Sequence, residues 1–352
     1  MFVTGLGTSN PPLRYSKAEC WAAFQESRWF GELDPRSRAI AEMVLSKDNG
    51  ITFRNLAVPR LEQVFAIDPD TLHARFVEYA PQLAAAAGAK ALRDAELSGQ
   101  QIDGVVVSTC TGYLCPGLSS HVIESLGLRN NVLAFDLVGQ GCAAALPNWR
   151  LAAALLTDNR CQHVLSVCVE VSSAAMYLDN DAGVLISACL FGDGAGAAVL
   201  SKSPALARRR LEWKSFTSLT NPLERDALKF ESRRGMLRNV LTRPVPRLAA
   251  VHAQQVLSTA LAEAGLQRAD IRAWIMHAGG RDVLHALSNR LELAPDNLRY
   301  SADMLNMYGN MSSAFVYFVL QAALADNAAP GWWWMSAFGA GFSCHGALLE
   351  AA

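Results

Sequence analysis

Charge is scarce in this chain. Only 18% of its 352 residues are charged, and the net charge is -1. Such a surface offers a polyanion little to hold, so no nucleic acid is expected as a partner. The only dense basic run, Arg208-Arg209-Arg210, reads as a solvated turn. Long apolar runs are also missing. No window of about 20 residues is apolar throughout, which excludes an expected transmembrane helix. Even the stretch from Leu83 to Leu92 is interrupted by Lys90. The N-terminus, Met-Phe-Val-Thr-Gly-Leu-Gly-Thr, lacks the basic start and apolar segment of a signal peptide. Paired cysteines are missing as well. Cys20, Cys110, Cys115, Cys142, Cys161, Cys168, Cys189 and Cys344 form no CxxC pair with metal-ligand spacing and no compact disulfide framework. A reducing cytoplasm and no membrane association are the expectation.

What is present is a large apolar fraction, 51% of residues, enough to bury a sizeable core. The length suggests two core-forming units. Short β-branched runs alternate with helical patterns, which predicts an α/β protein with helices packed on central sheets. Val164 to Val171 (VLSVCVEV) has no polar alternation and reads as a strand buried on both faces. A boundary is expected near residues 201–210, giving halves 1–205 and 206–352. Residues 202–247 show weak periodicity and many charges, as expected for loops and hairpins around an entrance.

Three segments carry chemistry. Gly139-Gln140-Gly141-Cys142 is a tight turn opening an Ala-rich helical stretch. A cysteine there faces free backbone N–H groups and the positive helix end, which favour the nucleophilic thiolate. A buried core cysteine before a helix has the same pattern. His277 ends the short apolar strand Ala273 to His277 and precedes Ala278-Gly279-Gly280. Strand ends are where α/β folds place reactive groups, although a core histidine also fits, and His345 is a rival beside a Gly-rich turn. Asn310 precedes an apolar helix, where it serves either as an N-cap or as a hydrogen-bond donor into a site. The order Cys, His, Asn suggests a thiol enzyme. A papain-type hydrolase uses the same groups, but its cysteine lies near the mature N-terminus.

The segments Gly141-Cys142, His277-x-Gly279-Gly280, Tyr308 to Ala314 (YGNMSSA) and Phe338-Gly339-x-Gly341 resemble the type III polyketide synthases, the chalcone synthase-like enzymes. The runs Thr109 to Gly117 and Leu190 to Ala195 resemble bacterial members, and the motifs keep the family's order over most of the chain. The resemblance implies a thiolase-like, five-layered αβαβα fold of two related halves and a homodimer. It implies acyl-CoA starter loading on Cys142, decarboxylative condensation with malonyl-CoA and cyclisation, with no metal or redox cofactor. His277 would pair with the Cys142 thiolate, and His277 and Asn310 would hold the malonyl thioester carbonyl. Phe191 matches a gatekeeper between the CoA tunnel and an inner cavity, and Arg238 falls nearest the second gatekeeper. Thr111, Ser172, Ala175, Ser187 and Ser312 match cavity-lining positions, with Gly279, Gly280 and Phe338 also at the substrate. Cys115 matches a residue reaching into the neighbouring subunit's cavity.

The small cavity residues and the bacterial-type motifs suggest a fatty acyl starter giving alkylpyrones or alkylresorcinols, with an aromatic starter as the alternative. Ala278 and Ala340 replace the family's prolines after the histidine and in the closing glycine loop, which removes no reacting group. The alternatives are a ketoacyl-ACP synthase III-like single condensation and a non-catalytic acyl-binding protein of the same fold.

Overall fold

The computed structural model describes residues 1–205 and 209–352. Arg208 of the basic run and the expected boundary at 205/206 therefore touch residues outside the described ones. The strands are β1 (Phe2–Ser9), β2 (Arg14–Ser16), β3 (Phe53–Asn55), β4 (Gly104–Ser108), β5 (Leu133–Leu137), β6 (His163–Glu170) and β7 (Gly194–Ser201). They continue as β8 (Leu211–Thr220), β9 (Leu228–Arg233), β10 (Met236–Leu241), β11 (Ile271–Met276), β12 (Gly331–Gly339) and β13 (Ser343–Ala351). Nine of them form one sheet in the order β11-β12-β13-β8-β1-β7-β6-β4-β5. Its two halves join where Phe2 of β1 pairs with Glu212 of β8 and the Trp213 N–H donates to the Met1 carbonyl at 2.8 Å.

The helices sort into layers around the two half-sheets. Helix Pro69–Asp94 starts at Asp68, whose side chain accepts from the Thr71 N–H, with Pro69 in its first turn. Its Ala-rich face packs on β1, β7 and β6. The approach is close because β1 carries glycine there. A Cβ at Gly5 would lie 2.2 Å from the Ala91 carbonyl oxygen, and one at Gly7 2.3 Å from that of Ala87. On the far side, helix Val245–Ala264 covers β13 and β8. Between the half-sheets lie helices Ala145–Leu155 and Phe315–Ala325, which meet strands of both. The result is helix, sheet, helix pair, sheet, helix: the five-layered αβαβα arrangement.

The central helices are apolar nearly all round, so their few polar groups must pair with each other. The Trp149 indole N–H donates to the Tyr317 hydroxyl at 3.1 Å, which lies 2.9 Å from the Ser166 hydroxyl. Asn148 bridges β4 and β6 through Ser108 and the Val167 carbonyl.

Most predicted elements fall within a few residues of those observed, and β6 is buried along nearly its whole length as expected. The segment 202–247 differs. It contains the hairpin β9–β10, but also β8, a ten-residue strand in the middle of the sheet. Lys and Ser on its partly exposed positions masked its apolar side. Removing the central hydroxyl tests the polar pairing. Tyr317→Phe leaves the Trp149 N–H without its acceptor and should cost about 1–3 kcal/mol. Urea denaturation should show a lower midpoint with unchanged slope.

Candidate active site

Gly139 and Gly141 both have positive φ, +82° and +54°, so the turn before Cys142 needs glycine. Cys142 lies in a single 3-10 turn, Gly141–Ala143, that runs into helix Ala145–Leu155. Among the described residues, no side chain caps that helix start. The closing loop lies opposite: a Cβ on Gly141 would come within 3.1 Å of the Ala340 backbone nitrogen.

His277 follows β11, and its backbone N–H donates to the Ser336 carbonyl at 2.9 Å. The imidazole packs between the Phe315 and Phe338 rings, with centroids 5.4 and 5.1 Å away. It is 1% exposed, and among the described residues neither ring nitrogen has a hydrogen-bond partner. Asn310 is the opposite case. Its Oδ1 accepts the Ser312 N–H at 2.8 Å, and its Nδ2 donates to the Gly279 carbonyl at 3.0 Å. Both partners have fixed polarity, so the amide orientation is settled, and one N–H of Nδ2 remains available.

Cys142, His277 and Asn310 line one cavity of about 610 Å³, together with Gly279, Gly280, Phe338, Phe191 and Ser187. Lys47, Arg243 and Arg281 stand on its wall as well. A second, inner chamber is lined by Thr111, Ser172, Ala175, Ser187, Phe191 and Ser312. Ser187, Phe191 and Asn239 line both spaces and form the neck between them. The inner chamber is narrow, about 30 Å³, because Leu56, Met176, Tyr177 and Phe230 fill the space that the small residues leave.

Two predicted site residues are elsewhere. Arg238 lines neither space. It bonds Asp179 at 2.9 Å and Glu231 at 3.1 Å, with Asp181 at 3.4 Å. Successive residues of a strand face opposite sides, and Asn239 is the one that faces the neck, across the ladder from Phe230. The predicted position was one residue out of phase. Cys115 lines neither cavity of its own chain and is exposed. The rival His345 bonds Ser218 at 2.7 Å and lines neither space.

The neck is held from behind by residues that the sequence reading did not single out. Arg54 donates from Nη1 to the carbonyls of Ala188 and Phe191 at 2.9 and 3.0 Å. The Phe191–Gly192 backbone is tied to Asn310: the Gly192 N–H donates to the Asn310 carbonyl at 3.0 Å, and the Asn310 N–H to Leu190 at 2.9 Å. Glu170, at the end of β6, is fully buried and accepts from the Cys110 N–H at 3.0 Å, the Thr111 hydroxyl at 3.0 Å and the Ser313 hydroxyl. A carboxylate closing an otherwise apolar buried strand was a readable signal.

Electrostatics follow burial. Loss of solvent pushes the Cys142 thiol up to about 12, against the Ser312 hydroxyl bond that lowers it. Loss of solvent also pushes His277 down to about 3. Each group taken singly is therefore neutral near pH 7, and the helix terminus does not by itself give a resting thiolate.

Residues 14–217 match the FAE1/type III polyketide synthase-like family, and residues 224–351 match the C-terminal domain of chalcone and stilbene synthases. The 3,5-dihydroxyphenylacetyl-CoA synthase of Streptomyces toyocaensis is 29% identical over 338 residues, covering 92% of this chain and 83% of that protein. PKS-I from the brown alga Ectocarpus siliculosus superposes with a TM-score of 0.90 at 26% identity, covering 99% and 98% of the two chains. The 1,3,6,8-tetrahydroxynaphthalene synthase of Streptomyces coelicolor A3(2) shares the fold, with a TM-score of 0.88 at 24% identity over 100% and 99% of the chains. The chain belongs to the type III polyketide synthases, condensing acyltransferases that extend a CoA-linked starter and cyclise the product.

Proposed function

We propose that Cys142 is the acyl-carrying nucleophile, and that His277 and Asn310 are the donors that stabilise the enolate of malonyl-CoA. The observation that supports this most is the pair of unpartnered nitrogens on buried His277. A buried polar group without a partner costs free energy, so it persists where a ligand completes it. His277 shares a cavity with a thiol and with the spare N–H of Asn310.

The steps then balance as follows. The Cys142 thiol proton passes to His277 as the sulfur attacks the starter thioester. The proton leaves with CoA as its free thiol, and the acyl group stays on sulfur. Malonyl-CoA binds next with its thioester oxygen at His277 and Asn310. Loss of CO2 puts negative charge on that oxygen, where fixed donors in a dry site act most strongly. The enolate carbon attacks the acyl carbonyl, giving a lengthened CoA thioester and freeing Cys142. These steps use no metal or redox cofactor. Lys47, Arg243 and Arg281 offer positive charge for the phosphates of CoA.

The narrow inner chamber favours a short starter over a fatty chain. The substrates are soluble thioesters, no described helix is long and apolar enough to cross a membrane, and the proposed location is the cytoplasm. We further propose a homodimer. Strand β5 is a sheet edge with Leu133 and Phe135 exposed, and Val138, directly after it, and Tyr113, in the loop after β4, are 66% and 71% exposed. An apolar edge of this kind calls for a partner, and the exposed loop carrying Cys115 would then face that partner.

Cys142→Ala should abolish covalent starter loading while keeping malonyl-CoA decarboxylation. Adding Asn310→Ala should lower that decarboxylation by roughly 100- to 1000-fold, as for other lost enolate or oxyanion donors. An unchanged rate would remove Asn310 from the mechanism. With His277 depressed to about 3, its imidazole is neutral through the physiological range. Decarboxylation by Cys142→Ala should therefore be flat from about pH 5 to 8, whereas an ordinary histidine would titrate near 6.5. For the neck, Asn239→Phe should shorten the longest product seen by mass spectrometry with malonyl-CoA and a panel of acyl-CoA starters. Product lengths like those of the parent would show that the neck does not limit the chain. Val138→Arg should convert the dimer to a monomer of 38.0 kDa in light scattering.

A further inference from the structure

The hydroxyl of Ser312 donates to the Cys142 sulfur at 3.2 Å. The same hydroxyl lies 3.3 Å from the sulfur of Cys110. Cys110 in turn approaches Glu170, with its sulfur 3.4 Å from both carboxyl oxygens. The contacts thus run Glu170, Cys110, Ser312, Cys142. A thiol and a hydroxyl each carry one proton. With the Cys110 S–H turned to Glu170, the Ser312 proton is free to face Cys142.

Ser312 is held in place at some conformational cost. Its φ is +49°, a left-handed value that a side chain with a Cβ seldom adopts. Its N–H is gripped by Asn310 Oδ1 at 2.8 Å, and it is 1% exposed. Glycine would fit this backbone better, yet a hydroxyl is present. The strained position aims that hydroxyl at the sulfur, and strain of this kind collects where a side chain must be aimed.

We propose that Ser312 is a catalytic residue: its hydroxyl stabilises the Cys142 thiolate that forms on loading and re-forms at each release of the growing chain. The proposal rests on Cys142 being the nucleophile. It separates two duties. His277 takes the thiol proton and then serves the enolate, whereas Ser312 stays on the sulfur throughout. Other titratable groups face this sulfur too. Glu170 opposes a negative charge on it when ionised, Cys110 stands between, and His277 lines the same cavity. A hydroxyl donor close to the sulfur offsets the carboxylate behind it. Asn310 links the two duties, since one of its ends fixes Ser312 while the other keeps an N–H for the thioester.

The test is the rate of iodoacetamide labelling at Cys142 across pH, read peptide by peptide in the full-length protein. The variants are Ser312→Gly and Ser312→Ala, with Cys110→Ala as a comparison. Ser312→Gly should be at least as stable to urea as the parent, because it relieves the positive φ. Its Cys142 should nonetheless label about ten- to a hundred-fold more slowly at neutral pH, the worth of a hydrogen bond to a charged group. The labelling midpoint should move to higher pH in both serine variants, and less in Cys110→Ala. Labelling of Ser312→Gly that matches the parent at every pH overturns the proposal. Starter acylation mapped to Cys142 in the parent keeps the nucleophile assignment separate: its absence sinks that assignment instead.

Discussion

The structure depends on a dry centre. Two helices, Ala145–Leu155 and Phe315–Ala325, lie between the half-sheets, with Leu146, Asn148 and Trp149 buried on the first and Phe315 to Leu320 on the second. Burial of this kind stabilises through apolar area, but it penalises any polar group left without a partner. The chain meets that demand with short closed circuits. Trp149, Tyr317 and Ser166 form one, and Asn148 with Ser108 and Val167 forms another. Against this background the unpaired buried groups are exceptions, with Trp334 Nε1 and His345 Nε2 among them. The two nitrogens of His277 are such groups, and they sit at the cavity wall rather than inside the circuits.

The same dryness sets the chemistry. Burial raises the thiol of Cys142 to about 12 and lowers the imidazole of His277 to about 3. Burial alone thus favours the neutral form of each group. Charge appears when substrate arrives and brings a carbonyl that hydrogen-bonds the donors. Donors fixed beforehand have little to reorganise when charge develops, which is the reason a dry, rigid site outperforms water. Rigidity here has a visible source. Asn310 is bonded at both ends of its amide, and its backbone is tied to the Leu190–Gly192 segment. Enolate donor, neck and thiol partner thus share one scaffold.

The fold was largely legible because its signals are local. Apolar β-branched runs marked β4 and β6, and glycines with a required positive φ marked the turn at Cys142. The three reactive groups were legible for the same reason, each standing at a strand end or helix start. Strand β8 was not, since its partly exposed positions carry Lys and Ser and its apolar face is partial. The inner chamber was misjudged because wall size was read without the fillers: Met176 and Tyr177 follow Ala175 directly in the chain and close the space. Contacts such as Ser312 to Cys142 join residues 170 apart and leave no trace in a single sequence.

The error at the neck has a physical lesson of its own. In a two-stranded ribbon, a slip of one residue exchanges the two faces. Nothing in the local sequence of β10 decides which face meets the cavity, because Leu237, Arg238, Asn239 and Val240 alternate weakly. The decision is made by charge. Arg238 is 8% exposed, and a guanidinium so buried needs carboxylates around it. Asp179, Asp181 and Glu231 supply them on one side of the hairpin only. Turning the strand over would bury Arg238 in the neck without partners and strand those acids together. The ion-pair cluster therefore contributes less through its own attraction than through the alternative it forbids. It fixes Asn239 beside Phe191 and Ser187, and so fixes the width and polarity of the passage that a growing chain must cross.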